Sequence, residues 1–276
     1  MRIDLHDHTT CSDGTATPTE LIAAAVHAGL DVVAITDHDT TAGWHEAREA
    51  ADQAGIVLVP GIEISCRIGD VSLHLLGYLF DPAHAELSRE LENMRDSRVN
   101  RAKRMVEKCV ELGAPITWEQ VRAIAAGVVG RPHIATALIE AGVVPDIDSA
   151  FGPDWIGHDG RACVKKQDIH PLRALELVRS AGGVAVLAHP RAHTRGPNAR
   201  EVDIAALAEA GLFGIEMDHP DHDPEAREHV RRLAKELGLR TTGSSDWHGT
   251  RKKTAIGAET TDPEVYAALR VAAGSY

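Results

Sequence analysis

The chain is poor in aromatic side chains and in sulfur. Phe, Trp and Tyr make up 4% of its 276 residues, and the four cysteines (Cys11, Cys66, Cys109, Cys163) form no CxxC pair or other metal-type spacing. Neither a thiolate zinc module nor a disulfide framework therefore organises the fold, and the thiols read as reduced, in a cytoplasmic protein. No apolar run approaches the roughly 20 residues of a membrane span. The N-terminus enters a strand-like segment at once, so neither a signal peptide nor a membrane partner is expected. Basic residues are outnumbered, 29 against 41 acidic, for a formal charge of -12. That excludes broad binding along duplex DNA, which depends on neutralising phosphates with Lys and Arg. It leaves small anionic substrates open, because a few bound divalent cations reverse the local field. No GxGxxG or P-loop follows the first strand, which disfavours a doubly wound nucleotide-binding fold.

What is present is alternation. Strand-like runs occur at Arg2–Leu5, Asp31–Thr36, Ile56–Ser65, Val71–Leu79, Val184–Ala188, Phe213–Met217 and Arg240–Gly243. Helical patterns lie between them, at Pro18–Ala28, Thr41–Ala54, Pro171–Ala181, Val202–Ala210, Pro224–Leu237 and Pro263–Ala272. Several have Pro in the first turn or Gly just past the end. The order predicts a parallel α/β sheet, and seven strands suit a closed or nearly closed barrel. From about residue 85 to 161 no strand is expected. Glu86–Leu112 reads as a long charged helix, followed by shorter ones at Trp118–Ala126 and Pro132–Ala141. The expected organisation is a barrel domain at 1–85 and 162–276, with a helical insertion at 86–161 acting as a substrate cap.

Sixteen histidines are conspicuous by position. His6 and His8, two residues apart in an extended segment, point the same way. Asp13 follows in the next loop. His38, Glu63, His74 and His189 lie at or near strand ends, and Asp246 and His248 repeat the i, i+2 spacing after the seventh strand. One such residue is unremarkable. Six imidazoles and three carboxylates placed in this way point to a metal centre on the face where barrel active sites form. Their N/O donors suit Mn, Fe or Zn. Asp37 and Asp39, flanking His38, fit acceptors for the second ring N–H of metal-bound imidazoles.

His6-Asp7-His8-Thr9, Ser12-Asp13-Gly14, Ile35-Thr36-Asp37-His38-Asp39, Gly61-Ile62-Glu63, His74-Leu75-Leu76-Gly77, Ala188-His189-Pro190 and Gly243-Ser244-Ser245-Asp246-Trp247-His248 resemble the motifs of the polymerase-and-histidinol-phosphatase (PHP) family. The resemblance implies a distorted (β/α)7 barrel, phosphoester hydrolysis and three divalent ions, with Mn2+ expected and Fe2+ or Zn2+ as alternatives. It assigns one ion to His6, His8, Glu63 and Asp246, and a second to Glu63, His74 and His189. The third takes Asp13, His38 and His248. Gly130-Arg131-Pro132-His133-Ile134-Ala135 resembles a motif of stand-alone members that act on 3',5'-nucleotide bisphosphates and short 5'-phosphorylated oligonucleotides. By that resemblance Arg131 and His133 bind phosphate. His219, and less strongly His193, meet the substrate, with His219 as general acid toward the leaving oxygen. His222 carries less of this expectation, and the remaining histidines read as surface residues.

The expected reaction removes the 3'-phosphate of 3',5'-bisphosphonucleosides to leave 5'-mononucleotides, by in-line attack of a metal-bridging hydroxide. Short 5'-phosphorylated RNA is a second expected substrate, and no obligate protein partner is expected. The rivals are a histidinol-phosphate phosphatase, a non-catalytic polymerase accessory module and a metal-storing protein.

Overall fold

A computed structural model describes residues 1–125, 129–164, 168–192 and 198–274. Its elements run β1 (Ile3–Asp4), α1 (Pro18–His27), β2 (Val32–Ile35), α2 (Trp44–Ala54), β3 (Val57–Ile68) and β4 (Val71–Tyr78). Four helices follow, α3 (Ala85–Glu111), α4 (Trp118–Ile124), α5 (Arg131–Glu140) and α6 (Ile147–Ala150). The remainder is α7 (Pro171–Ser180), β5 (Val184–Leu187), α8 (Glu201–Glu209), β6 (Gly214–Asp218), α9 (Pro224–Leu237), β7 (Arg240–Gly243) and α10 (Pro263–Ala272).

The seven strands lie side by side in chain order. The outer ones bridge at Asp7 and Trp247, where the His8 amide donates to the Trp247 carbonyl at 2.8 Å. The result is the nearly closed, distorted seven-stranded barrel that the sequence predicts. The uniformly parallel sheet is not observed: β4 runs antiparallel to both β3 and β5. Only Gly69 and Asp70 separate β3 from β4, and a two-residue connection permits only a hairpin. β3 also runs to Ile68, so Glu63 sits inside a strand rather than at its end.

Local signals account for the helix starts. Thr17 and Thr117 close capping boxes with Glu20 and Gln120, and the side chains of Asp223 and Asp262 cap α9 and α10. Each satisfies amides that the first turn leaves without partners. One apolar cluster joins Ile3 and Leu5 to Val32, Ala34, Val59, Leu76, Tyr78, Val184 and Val186, with Tyr266 and Leu269 from α10 and Ala273 just after it. Side chains alternate along a strand, so Val59 shares a face with Glu63, and Leu76 and Tyr78 share one with His74. The apolar surface thus passes into a polar one within the same strands.

The chain divides into two compact units, residues 1–91 with 168–276, and residues 92–167. The second unit has its own core, including Met105, Val121, Ile134, Leu138 and Ile156.

Candidate metal centre

β1 delivers His6 and His8, the turn after β2 delivers His38, and β5 and β7 are followed by His189 and Asp246. β4 is antiparallel, and for that reason His74, near the middle of its strand, reaches the same end of the barrel. Among the described residues four non-glycines have positive φ, and three of them sit here: Asp39, His189 (φ 25°) and Asp246 (φ 47°). Such backbone is uncommon and costs energy, and it concentrates at functional sites. Gly14 serves the loop that carries Asp13. A Cβ there would lie 2.5 Å from the His8 carbonyl oxygen, so only glycine lets the loop close against β1.

All nine side chains singled out in the sequence meet in one cluster. His6 Nε2 lies 3.1 Å from His8 Nε2, 3.3 Å from Glu63 Oε2 and 3.5 Å from Asp246 Oδ1. His8 Nε2 is 3.1 Å from Glu63 Oε2 and 3.3 Å from Asp246 Oδ1. Two ligands of one ion with bonds of about 2.0–2.1 Å lie about 3–3.5 Å apart, and these five pairs have that spacing. Glu63 then bridges onward. Its Oε2 lies 3.1 Å from His38 Nδ1, and its Oε1 lies 2.7 Å from His74 Nδ1 and 3.0 Å from His189 Nε2. Asp13 Oδ1 is 3.4 Å from His248 Nε2, and these two group with His8 and His38.

Tautomers sharpen the fit. His6 Nδ1 lies 3.1 Å from Glu216 Oε1, and His248 Nδ1 lies 2.9 Å from the Asp246 carbonyl. Both partners only accept, so each Nδ1 carries a proton, and each Nε2 meets a carboxylate oxygen through either a proton or a cation. Lone pairs facing one another repel unless a cation lies between them. Glu63 Oε2, His38 Nδ1 and His74 Nδ1 are likewise buried without a hydrogen-bond partner among the described residues. The donor set therefore fits divalent ions.

Electrostatics agree. Burial opposes a charge on His8, yet Asp246 and Glu63 hold its imidazole at about 9. Burial opposes the Glu63 anion, and the rings of His74, His38 and His6 hold it well below the usual carboxylate range. Burial pushes His38 and His248 below the ordinary imidazole value. The cluster attracts positive charge.

The structure adds a residue that sequence reasoning missed. Glu216, in β6, accepts from His6 Nδ1, from the His189 amide at 2.8 Å and from the Ser244 hydroxyl. It orients the His6 ring and holds the backbone that carries His189. A glutamate between Ile215 and Met217 was the available signal, since a buried carboxylate requires donors. Asp37 takes the Thr9 amide and hydroxyl and the Ser12 hydroxyl, and Asp39 takes the amide and hydroxyl of Ser65. These carboxylates staple the ligand-bearing loops, while the acceptor for the His6 ring N–H is Glu216.

His219 is buried rather than open at the rim. Its Nδ1 accepts the Asp221 amide at 3.0 Å, which leaves the proton on Nε2, 3.3 Å from Asp246 Oδ2. His222 is a structural peg between the Met217 carbonyl and the Arg191 amide. His193 lies outside the described residues. Arg131 and His133 open α5 in the 92–167 unit. Arg131 lies 5.2 Å from the Phe151 ring, and His133 Nδ1 accepts the Gly130 amide.

Residues 4–96 match the PHP domain family. Over 248 residues, 90% of each chain, the sequence is 35% identical to a 5'-3' exoribonuclease from Haemophilus influenzae. It is 31% identical over 252 residues to a 3',5'-nucleoside bisphosphate phosphatase from Chromobacterium violaceum, covering 89% of this chain and 87% of that one. A crystal structure from Bifidobacterium adolescentis, of a chain inferred to be a metal-dependent phosphoesterase, superposes with TM-score 0.92 at 37% identity. The match covers 98% of this chain and 96% of that one.

Proposed function

The chain belongs to the PHP domain family and is a metal-dependent phosphoester hydrolase, and within that class we propose that it removes the 3'-phosphate of 3',5'-bisphosphonucleosides. Short 5'-phosphorylated RNA is the second proposed substrate. The carrying observation is the set of imidazole nitrogens and carboxylate oxygens that converge within 3.1–3.3 Å of one another around His6, His8 and Glu63.

In this reading three Mn2+ ions are held, with Fe2+ or Zn2+ as alternatives. His6, His8, Glu63 and Asp246 hold the first, Glu63, His74 and His189 the second, and Asp13, His38 and His248 the third. Divalent ions there neutralise a phosphoryl group and lower the pKa of bound water toward neutrality. Glu216 keeps the His6 ring proton on Nδ1, so its Nε2 stays free to ligate. His219 holds a proton on Nε2 and is the proposed donor to the leaving oxygen. Arg131 is the proposed bidentate phosphate contact, aided by His133, on the strength of the Gly130–Ala135 motif and of the two relatives, whose names concern nucleotide and RNA phosphoesters. His193 is a weaker proposed contact. A cytoplasmic setting suits four thiols that form no disulfide.

The test is phosphate release by Mn2+-loaded protein from pAp, 5'-AMP, 3'-AMP and histidinol phosphate in parallel. Release from pAp far above both monophosphates is expected. A preference for histidinol phosphate overturns the nucleotide assignment.

A further inference from the structure

We propose that Lys252 is the phosphate-facing cation of this centre, an inference that rests on the phosphoesterase reading above. Lys252 follows the short 3-10 turn Gly249–Arg251, between two exposed basic neighbours, Arg251 and Lys253. Only the middle residue of this basic triplet turns inward. Its Nζ lies 2.5 Å from Asp246 Oδ2 and 3.4 Å from the Asp246 carbonyl oxygen. The side chain keeps 31% of its surface exposed, whereas Asp246 keeps 1%. Lys252 thus spans from solvent to a carboxylate of the metal cluster.

The two oxygens of Asp246 face different groups. Oδ1 faces the His6 and His8 rings, while Oδ2 takes the His219 Nε2–H and the Lys252 ammonium. Oδ2 therefore already has a donor without Lys252. An ammonium carries three donors, and Asp246 supplies the acceptors recorded for this one. Asp246 would help hold a divalent ion, and Lys252, partly exposed, would offer its remaining N–H donors to an anion arriving there. Lysine acts on phosphate as a compact point charge. In a chain of formal charge -12, such a cation at the mouth of an acidic cluster is what an anionic ester requires.

The experiment compares the parent protein with Lys252→Ala and Lys252→Arg. Mn2+ affinity is measured by competition with a chelating dye, and inorganic phosphate binding to the Mn2+-loaded protein by calorimetry. Lys252→Ala is expected to bind Mn2+ as tightly as the parent or more tightly, because a competing cation has gone. Its phosphate affinity is expected to fall about 10–100-fold, the range for losing a hydrogen bond to a charged group, and Lys252→Arg recovers part of this. Unchanged phosphate affinity overturns the proposal. So does a joint fall in Mn2+ and phosphate affinity, the mark of a lysine that only holds Asp246 in place. A parent protein that binds Mn2+ and phosphate but hydrolyses none of the phosphoesters overturns the functional reading and leaves the Lys252 assignment standing.

Discussion

Residues 92–167 and the strand ends of the barrel bury opposite chemistry. The first unit packs Met105, Ile134, Leu138 and Ile156 together, and His133 is the single buried polar side chain among its described residues. The barrel mouth buries His6, His8, His38, His189, His219 and His248 with Asp4, Asp7, Glu63, Glu216 and Asp246. An apolar core draws its stability from transfer out of water and is indifferent to dissolved ions. Buried imidazoles and carboxylates carry a desolvation cost that partners or cations must offset. One unit is therefore built to fold, and the other trades stability for a site.

The strongest test of that contrast crosses the two regions. Glu63→Gln removes the bridging carboxylate. It is expected to lower Mn2+ affinity and turnover by at least about a hundred-fold, the upper end of what losing even a supporting partner costs. Leu138→Ala is expected to cost roughly 2–5 kcal/mol of stability, because Leu138 is fully buried, with bound Mn2+ unchanged. Metal analysis beside denaturant melts reads both, and a Leu138→Ala protein that loses its ions like Glu63→Gln breaks the comparison. A smaller effect sharpens it. Glu216→Gln, which upsets the His6 ring proton without removing a proposed ligand, is expected to weaken Mn2+ binding about 10–100-fold by dye competition. Equal affinity would show that His6 needs no orienting partner.

The smallest effect is a slope. Buried beside Asp246 and Glu63, the His8 imidazole is raised to about 9. A raised histidine contributes stability in full below its unfolded value near 6.5, and that contribution is lost as pH rises through about 9. The Tm of chelator-treated protein is therefore expected to fall between pH 7.5 and 9.5. The Mn2+-loaded protein is expected to lack this slope, because a ligating ring is already neutral. Parallel slopes in both forms would show that no ion replaces the proton on His8.

Much of this was legible along the chain. Seven strands and the helices between them followed from periodicity and from Pro and Gly punctuation. Most of the nine clustered side chains followed from their places at strand ends, while Glu63 and His74 lie within β3 and β4. The antiparallel β4 was harder to read: the strand-like runs left residues 66–70 between them, and only the extension of β3 to Ile68 shortens the connection to two residues. Glu216 left only a faint trace, an acidic residue between Ile215 and Met217. Lys252 left none, because a basic triplet reads as a solvated turn whichever member turns inward.

Residue type and local spacing are properties of the chain alone, so the sequence by itself determined the barrel class, the N/O donor set and the strand ends that carry it. Which oxygen of Asp246 faces the histidines, which ring nitrogen of His6 holds its proton, and which lysine reaches the cluster depend on neighbours far along the chain, 210 residues in the case of His6 and Glu216. Only the folded chain brings those groups within hydrogen-bonding distance, and only at that distance do charge and proton position become defined.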